Sequence, residues 1–187
     1  MYSLDSTIFY FLFNIGHKLG ADWLFVFFAS YLPYLIVIAF LYLLYKKEGV
    51  REKIYLSGFT LISLVLSRGI ITETIRYFFP RIRPFIALGL TPMLVDKAAS
   101  FPSGHATFFF ALAFCTFLIN KKWGWIMTGA ATITTVARVV AGVHWPSDIV
   151  GGAIIAGLVF AAMYYWILPP KKIQPPQDKQ ETLLPNA

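Results

Sequence analysis

Charged residues are scarce in this chain: Asp, Glu, Lys and Arg make up 13% of its 187 residues, whereas hydrophobic residues make up 58%. A typical soluble domain has about 25% charged residues, which help to cover its surface. The mean hydropathy of the chain is +0.66. This composition excludes a soluble globular domain and predicts an integral membrane protein.

Cysteine is also scarce, and no basic face is present. The single cysteine, Cys115, lies inside an apolar run, so an internal disulfide is excluded and the redox compartment is not indicated. The formal net charge is +7, but lysine and arginine occur in small groups between apolar runs. Nucleic-acid binding is therefore not expected.

Long apolar runs are abundant. Five of them reach the roughly 20 residues with which a helix crosses a bilayer. We therefore predict an all-α fold, an integral membrane helical bundle with about five transmembrane helices in a single domain over residues 1–168. The predicted spans are Asp22–Tyr45, Lys53–Phe79, Phe101–Asn120, Lys122–Gly142 and Ser147–Leu168.

The two ends of the chain differ from these spans. Leu4–Gly16 is apolar and aromatic but too short to span, so we predict an N-terminal helix that lies in the interface or dips partway into the bilayer. It lacks a basic stretch and a small-residue cleavage site, which disfavours a cleaved signal peptide. Residues 169–187 are rich in Pro, Lys and Gln, and we predict a disordered cytoplasmic tail.

The distribution of lysine and arginine indicates the orientation. With five spans, the basic residues at 46–53, 121–122 and 171–172 lie on one side of the membrane. Cytoplasmic loops are enriched in Lys and Arg, so this side is predicted to be cytoplasmic, in the inner (plasma) membrane. The opposite, extracytoplasmic side then carries three polar clusters together: Arg76–Pro84, Ser100–His105 and Arg138–Asp148.

These clusters contain the residue types that handle phosphate. Arginine, histidine and aspartate are costly near a membrane and indicate a functional site there. They offer a nucleophile or base, an acid and several fixed cations. For either histidine alone, a packing role between helices is an equal alternative. The presence of three such clusters on one predicted membrane face favours a functional site over a packing role.

The three clusters resemble the three-part signature of the type 2 phosphatidic acid phosphatase family, which reads Lys-x6-Arg-Pro, Pro-Ser-Gly-His and Ser-Arg-x5-His-x3-Asp. The resemblance covers about Lys53 to Leu168. Arg76 replaces the usual lysine and keeps its charge, whereas Ala137 replaces the usual serine and lacks its hydroxyl. The matching residues are Arg76, Arg83-Pro84, Pro102-Ser103-Gly104-His105, Arg138, His144 and Asp148.

The resemblance implies a metal-independent hydrolase without a cofactor, which acts on lipid phosphates through a phosphohistidine. In that family the second histidine attacks phosphorus, so His144 is the expected nucleophile, and Asp148, four residues on, is placed to orient it. His105 is the expected acid and later base. No carboxylate cluster suited to Mg²⁺ accompanies these residues. The expected substrate-binding residues are Arg76, Arg83, Ser103, the Gly104 amide and Arg138.

The substrate is suggested by the Arg-Pro-Phe run at 83–85 and the Ser-Phe-Pro-Ser-Gly-His-Ala-Thr run at 100–107. They resemble small bacterial undecaprenyl-diphosphate phosphatases of the same family, which recycle the carrier lipid of the cell wall. Phosphatidylglycerophosphate, phosphatidate and lipid A phosphates are the alternatives. The signature also occurs in vanadium haloperoxidases, which are larger and soluble, and a transporter is disfavoured because no inverted repeat is evident. The expected partners are lipid substrate and membrane lipids, and the sequence does not indicate an oligomeric state.

Some residues near the clusters have open roles. Arg68 and Glu73 form either a buried structural ion pair or part of the catalytic site. Arg81 binds substrate or extends to lipid headgroups, and we favour the headgroups. The apolar Pro84–Ser100 connection is expected to lie against the membrane as a lid or a guide for a lipid tail.

Overall fold

A computed structural model describes residues 4–167 of the chain. Within this range the protein consists of helices and connecting segments, without β-strands, which confirms the predicted all-α membrane fold class. One element, Val65–Ile71, is a π-helix. The α-helices are α1 Leu4–Lys18, α2 Asp22–Ser30, α3 Leu32–Tyr45, α4 Val50–Leu64, α5 Thr72–Phe78, α6 Pro84–Ala87, α7 Gly104–Ile119, α8 Lys121–Val140 and α9 Pro146–Ile167.

Three of the five predicted spans are long and apolar enough to cross a membrane. They are Asp22–Tyr45, Val50–Phe78 and Pro146–Trp166. The fourth candidate, α7, has only 16 residues, because Phe101–Ser103 precede the helix instead of forming its first turn. The fifth, α8, has 20 residues but carries basic residues at both ends. A total of five spans therefore stays a prediction.

The first two spans are interrupted. Asp22–Tyr45 breaks at Tyr31, because Pro33 has no backbone N–H to donate and begins a new helix. In Val50–Phe78 the π-helix separates α4 from α5, and the Thr72 hydroxyl donates to the Ser67 carbonyl oxygen at 2.9 Å. Wide turns of this kind often occur next to functional sites. Here the wide turn carries Arg68.

Helix α7 forms the centre of the bundle. It packs against α8 and α9, and its alanines at 106, 111 and 113 have no exposed surface. The start of α9 lies close to the start of α7, since a Cβ at Gly152 would be 2.8 Å from the Ser103 carbonyl oxygen. The backbone N–H of Ser103 donates to the Asp148 carbonyl oxygen at 3.0 Å. This close approach brings the second and third polar clusters together.

Helix α1 packs on the bundle instead of standing apart from it. Phe9 and Phe13 are buried on one face and form a small core with Val139 and Trp145. The opposite side of α1 exposes apolar residues such as Leu4 and Phe11, and the interfacial placement of the helix stays a prediction. The predicted tail, 169–187, lies outside the described residues.

Candidate active site

The three polar clusters converge on one end of the bundle. The Arg76 Nε donates to the Pro102 carbonyl oxygen at 3.1 Å, which joins the first cluster to the second. Arg83 Nη1 donates to the Val143 carbonyl oxygen at 2.8 Å and joins the first cluster to the third. Every site residue predicted from the sequence lies at or beside this junction.

His144 is fixed by Asp148. Its Nδ1 lies 3.3 Å from Asp148 Oδ2, and both side chains are almost completely buried. The same carboxylate oxygen accepts from the Trp145 amide at 2.8 Å and from the Ser100 hydroxyl. With the proton on Nδ1, the Nε2 lone pair is free, and Arg83 Nη1 lies 3.4 Å from Nε2. Burial lowers the pKa of His144 to about 4, so the ring is neutral at pH 7.

Asp148 is held from its other side by Arg81 and Asp5. Arg81 Nη1 donates to Asp148 Oδ1 at 2.8 Å, and Arg81 Nη2 donates to Asp5 Oδ2 at 2.6 Å. Asp5 also accepts from the Ser147 amide at 2.9 Å and from its hydroxyl at 2.6 Å. The favoured interpretation of Arg81 as a headgroup-seeking residue is therefore wrong. Sequence reasoning gave no role to Asp5, which lies 142 residues from Ser147.

Arg83 and Arg138 form a cationic cradle beside the two histidines. Both arginine side chains are almost completely buried. Arg138 Nη1 lies 3.4 Å from His105 Nε2. Among the described residues, Arg83 Nη2 and Arg138 Nε are buried nitrogens without a hydrogen-bond acceptor. Buried donors are normally satisfied, so such groups at a site are suited to an anion. Arg76 extends the cradle from α5.

Asp96 lies between the two arginines of the cradle. Its Oδ2 is 2.9 Å from Arg83 Nη2, in an ion pair without hydrogen-bond geometry, and 3.2 Å from Arg138 Nη2, which donates to it. Burial acts to raise the pKa of Asp96, but the Ala98 amide and the two guanidinium groups outweigh it and hold the pKa below its ordinary value. Sequence reasoning missed this residue, because a lone aspartate in a loop has no signature.

The connection that carries Asp96 is anchored. The Met93 amide donates to the Ala141 carbonyl oxygen at 3.0 Å, and the Ser100 amide donates to the Arg81 carbonyl oxygen at 2.9 Å. Its outer side chains, such as Val95, are exposed. The connection therefore covers the cradle as well as presenting apolar residues outward, and its role as a guide for a lipid tail stays a prediction.

The second cluster forms the first turn of α7. Ser103 is the N-cap, and its hydroxyl oxygen accepts from the Ala106 amide at 3.4 Å. A role for Ser103 and the Gly104 amide as donors to phosphate stays a prediction. Gly104 lets the Arg68 side chain approach the backbone, since a Cβ there would lie 2.6 Å from Arg68 Nε and would displace the guanidinium. The Arg68 guanidinium thus rests against the backbone next to His105.

Arg68 and Arg76 share Glu73. Glu73 Oε1 accepts from Arg76 Nη1 at 3.3 Å and from Arg68 Nη1. The predicted pair with Glu73 is present, but it is not buried, because the Glu73 side chain is 50% exposed and that of Arg68 is 35% exposed. Beside this pair lies a cavity of about 190 Å³, lined by Arg68, Gly104, His105, Phe108 and Phe109.

Comparison with known proteins identifies the family to which this geometry corresponds. The sequence profile of the PAP2 superfamily matches residues 57–171, which include all three clusters. The chain is 35% identical over 89 residues to the bacitracin transport permease protein BcrC of Bacillus licheniformis, covering 46% of this chain and 43% of the relative. It is 31% identical over 105 residues to an undecaprenyl-diphosphatase of Sulfolobus acidocaldarius, covering 54% and 51%. The chain thus spans about half the length of these two relatives.

Two known proteins that match over more of the chain have names different from those of the first two relatives. The lipid A 4'-phosphatase of Porphyromonas gingivalis is 26% identical over 174 residues, covering 87% of this chain and 72% of the relative. Among solved structures, the crystal structure of Aquifex aeolicus LpxE superposes with a TM-score of 0.67 and 25% identity, covering 86% of this chain and 94% of that one.

Proposed function

This chain belongs to the PAP2 superfamily and is a multi-pass membrane protein, and we propose that it is a membrane lipid phosphatase. The observation that carries the proposal is the placement of a buried, neutral His144 beside a cradle of arginines, with its Nδ1 held by Asp148 at 3.3 Å. Such an arrangement provides a nucleophile oriented by a base partner and preorganised charge for a phosphoryl group.

The proposed reaction has two steps. His144 Nε2 attacks phosphorus, a phosphorus–nitrogen bond forms, and the bond from phosphorus to the leaving oxygen breaks with its electron pair remaining on that oxygen. An alkoxide leaving group takes a proton from protonated His105, whereas the lipid phosphate released from a diphosphate leaves as an anion beside neutral His105. In the second step neutral His105 takes a proton from water, the water oxygen bonds to phosphorus, and the phosphorus–nitrogen bond breaks to release inorganic phosphate and free His144.

The arginines of the cradle supply the positive charge that this reaction requires. Charge on the phosphoryl oxygens is stabilised by Arg76, Arg83 and Arg138, whose planar groups donate forked hydrogen bonds. Arg138 Nε, a buried donor without a hydrogen-bond acceptor among the described residues, supports this assignment. We therefore propose that hydrolysis is metal-independent.

We propose undecaprenyl diphosphate as the substrate, with undecaprenyl phosphate and inorganic phosphate as products. The relative named undecaprenyl-diphosphatase and the runs at 83–85 and 100–107 support this choice. The relative named lipid A 4'-phosphatase supports lipid A phosphate as the alternative. The relative named a transport permease favours a transporter as the candidate from another class.

Phosphate release from a panel of lipids tests the activity. We expect purified protein to release phosphate fastest from undecaprenyl diphosphate, compared with phosphatidylglycerophosphate, phosphatidate and lipid A. EDTA should leave the rate nearly unchanged, because arginine supplies the charge, whereas vanadate should inhibit. No release from any lipid would favour the transporter, and loss on chelation that Mg²⁺ restores would contradict metal independence.

We propose that the site faces the extracytoplasmic side of the inner membrane, because the basic residues at 46–53 and 121–122 lie away from it. Val95 is 74% exposed in the connection over the cradle, and Glu48 is exposed at the opposite end. In a Cys115→Ala background, Val95→Cys should react with a membrane-impermeant thiol reagent in intact cells, whereas Glu48→Cys should not. The reverse labelling pattern would invert the orientation.

A further inference from the structure

We infer that Arg68 and the cavity beside His105 form a second anion subsite, which binds the inner, lipid-linked phosphate of a diphosphate substrate. The terminal phosphate would lie among Arg76, Arg83 and Arg138. This inference rests on the proposed phosphatase activity and specifies its substrate class. It assigns a function to an arginine that lies outside the family signature.

The position of the cavity follows from the geometry of displacement. In phosphoryl transfer the attacking and leaving oxygens or nitrogens lie roughly in line on opposite sides of phosphorus. With His144 as the proposed attacking group and His105 as the proposed acid, the leaving group would point toward His105, which is 3.4 Å from Arg138 of the cradle. The cavity of about 190 Å³ shares His105 as a wall. The cavity is therefore placed to receive the leaving group.

The contacts of Arg68 keep it available to this cavity. Its guanidinium lies against Gly104, where a Cβ would be 2.6 Å from Nε, so the helix start has no side chain between the cation and the cavity. Glu73 is the acceptor for its Nη1 among the described residues, and 35% of the side chain is exposed. A guanidinium has five N–H donors, so Arg68 can bind Glu73 and an anion together.

The size and lining of the cavity favour a headgroup fragment. At about 190 Å³ it is smaller than the roughly 300 to 1,000 Å³ of pockets for whole drug-sized ligands. Phe108 and Phe109 provide apolar walls beside the cation. This combination suits a phosphate joined to the first carbons of a lipid chain.

Leaving-group chemistry explains why a diphosphate would need this cation. When the bond from the terminal phosphorus to the bridging oxygen breaks, the electron pair remains on a lipid monophosphate. A phosphate monoester has a second pKa of about 6, so this oxygen leaves as an anion and needs positive charge more than a proton. An alkoxide from a simple monoester needs the proton of His105 instead. Arg68 therefore favours diphosphates over monoesters.

Calorimetric titration of the full-length protein tests the subsite without turnover. The probes are inorganic phosphate and methylenediphosphonate, whose P–C–P bridge is not hydrolysed. We expect the wild type to bind methylenediphosphonate at least about tenfold more tightly than phosphate, since a second charge-assisted contact forms. In Arg68→Gln this affinity should fall by about ten- to a hundredfold, while phosphate affinity changes by less than about threefold.

Arg51→Gln is the matched control, because Arg51 is an exposed arginine at the start of α4, and both affinities should be retained. Equal losses for the two probes in Arg68→Gln, or no loss, would overturn the subsite. Equal affinities in the wild type would overturn it even if that variant does not fold. Selective loss in a protein that hydrolyses no lipid would support the subsite while contradicting the proposed phosphatase.

Discussion

Replacing His144 with alanine is expected to abolish phosphate release from every lipid tested, a loss of at least about 10⁴-fold in kcat/KM. His144 is the group whose Nε2 is oriented toward the anion site, and its ring is neutral at pH 7 because burial lowers its pKa to about 4. No other described histidine is paired with a carboxylate in this way. Rapid alkaline quench of the wild type should trap labelled phosphate on His144.

His17→Ala is the matched control for this variant, because His17 is an exposed histidine on α1 and is not one of the residues of the cradle. It should retain wild-type turnover. Circular dichroism should show the same helix content in both variants, so that loss of chemistry is separated from loss of fold. Labelled phosphate on another residue, or turnover in His144→Ala, would place the nucleophile elsewhere.

The second large effect is expected for Asp148→Asn, which should lower kcat by about a hundred- to ten-thousandfold. The carboxylate accepts from His144, the Trp145 amide, the Ser100 hydroxyl and Arg81. An amide cannot accept from all of these donors, because one of its two atoms is itself a donor. The ring of His144 then loses its fixed orientation and tautomer. Single-turnover kinetics should place the loss in the phosphorylation step.

Arg81 and Asp5 provide a graded version of this test, since they act on His144 only through Asp148. Arg81→Gln should lower kcat by about ten- to a hundredfold with KM nearly unchanged, and Asp5→Asn should do the same to a smaller extent. Asp5→Glu should restore part of the loss. If KM rises instead while kcat is kept, Arg81 binds substrate and does not position Asp148.

The sequence predicted the clusters and their convergence because each depends on local pattern. Hydropathy placed the span that became α9 to within one residue of its start at Pro146, and the internal spacing of the signature placed Asp148, in the first turn of α9, four residues after His144, whose ring it contacts. The length of α7 was overestimated, since Phe101–Ser103 are apolar or small but precede the helix. Hydropathy does not distinguish these from helical residues.

The sequence did not indicate the roles of three of the residues that contact the site, and the cause is different. Asp5, Arg81 and Asp96 act through contacts that join residues up to 142 positions apart. Such contacts depend on how α1 and the connection before α7 pack on the bundle, which periodicity does not specify. In the sequence these side chains are ordinary charges near apolar segments. Their roles become evident only from the interatomic distances in the folded protein.

The position of Asp96 bears on the charge of the site during a catalytic cycle. A cradle of three largely buried guanidinium groups would be costly to leave unneutralised, and a carboxylate 2.9 Å from Arg83 already offsets part of that charge. We therefore expect an incoming phosphate to exchange with this tethered anion instead of filling a bare cationic cavity. When product phosphate departs, the carboxylate is at hand to take its place. On this expectation, the arginines keep an anionic partner both before phosphate binds and after it is released.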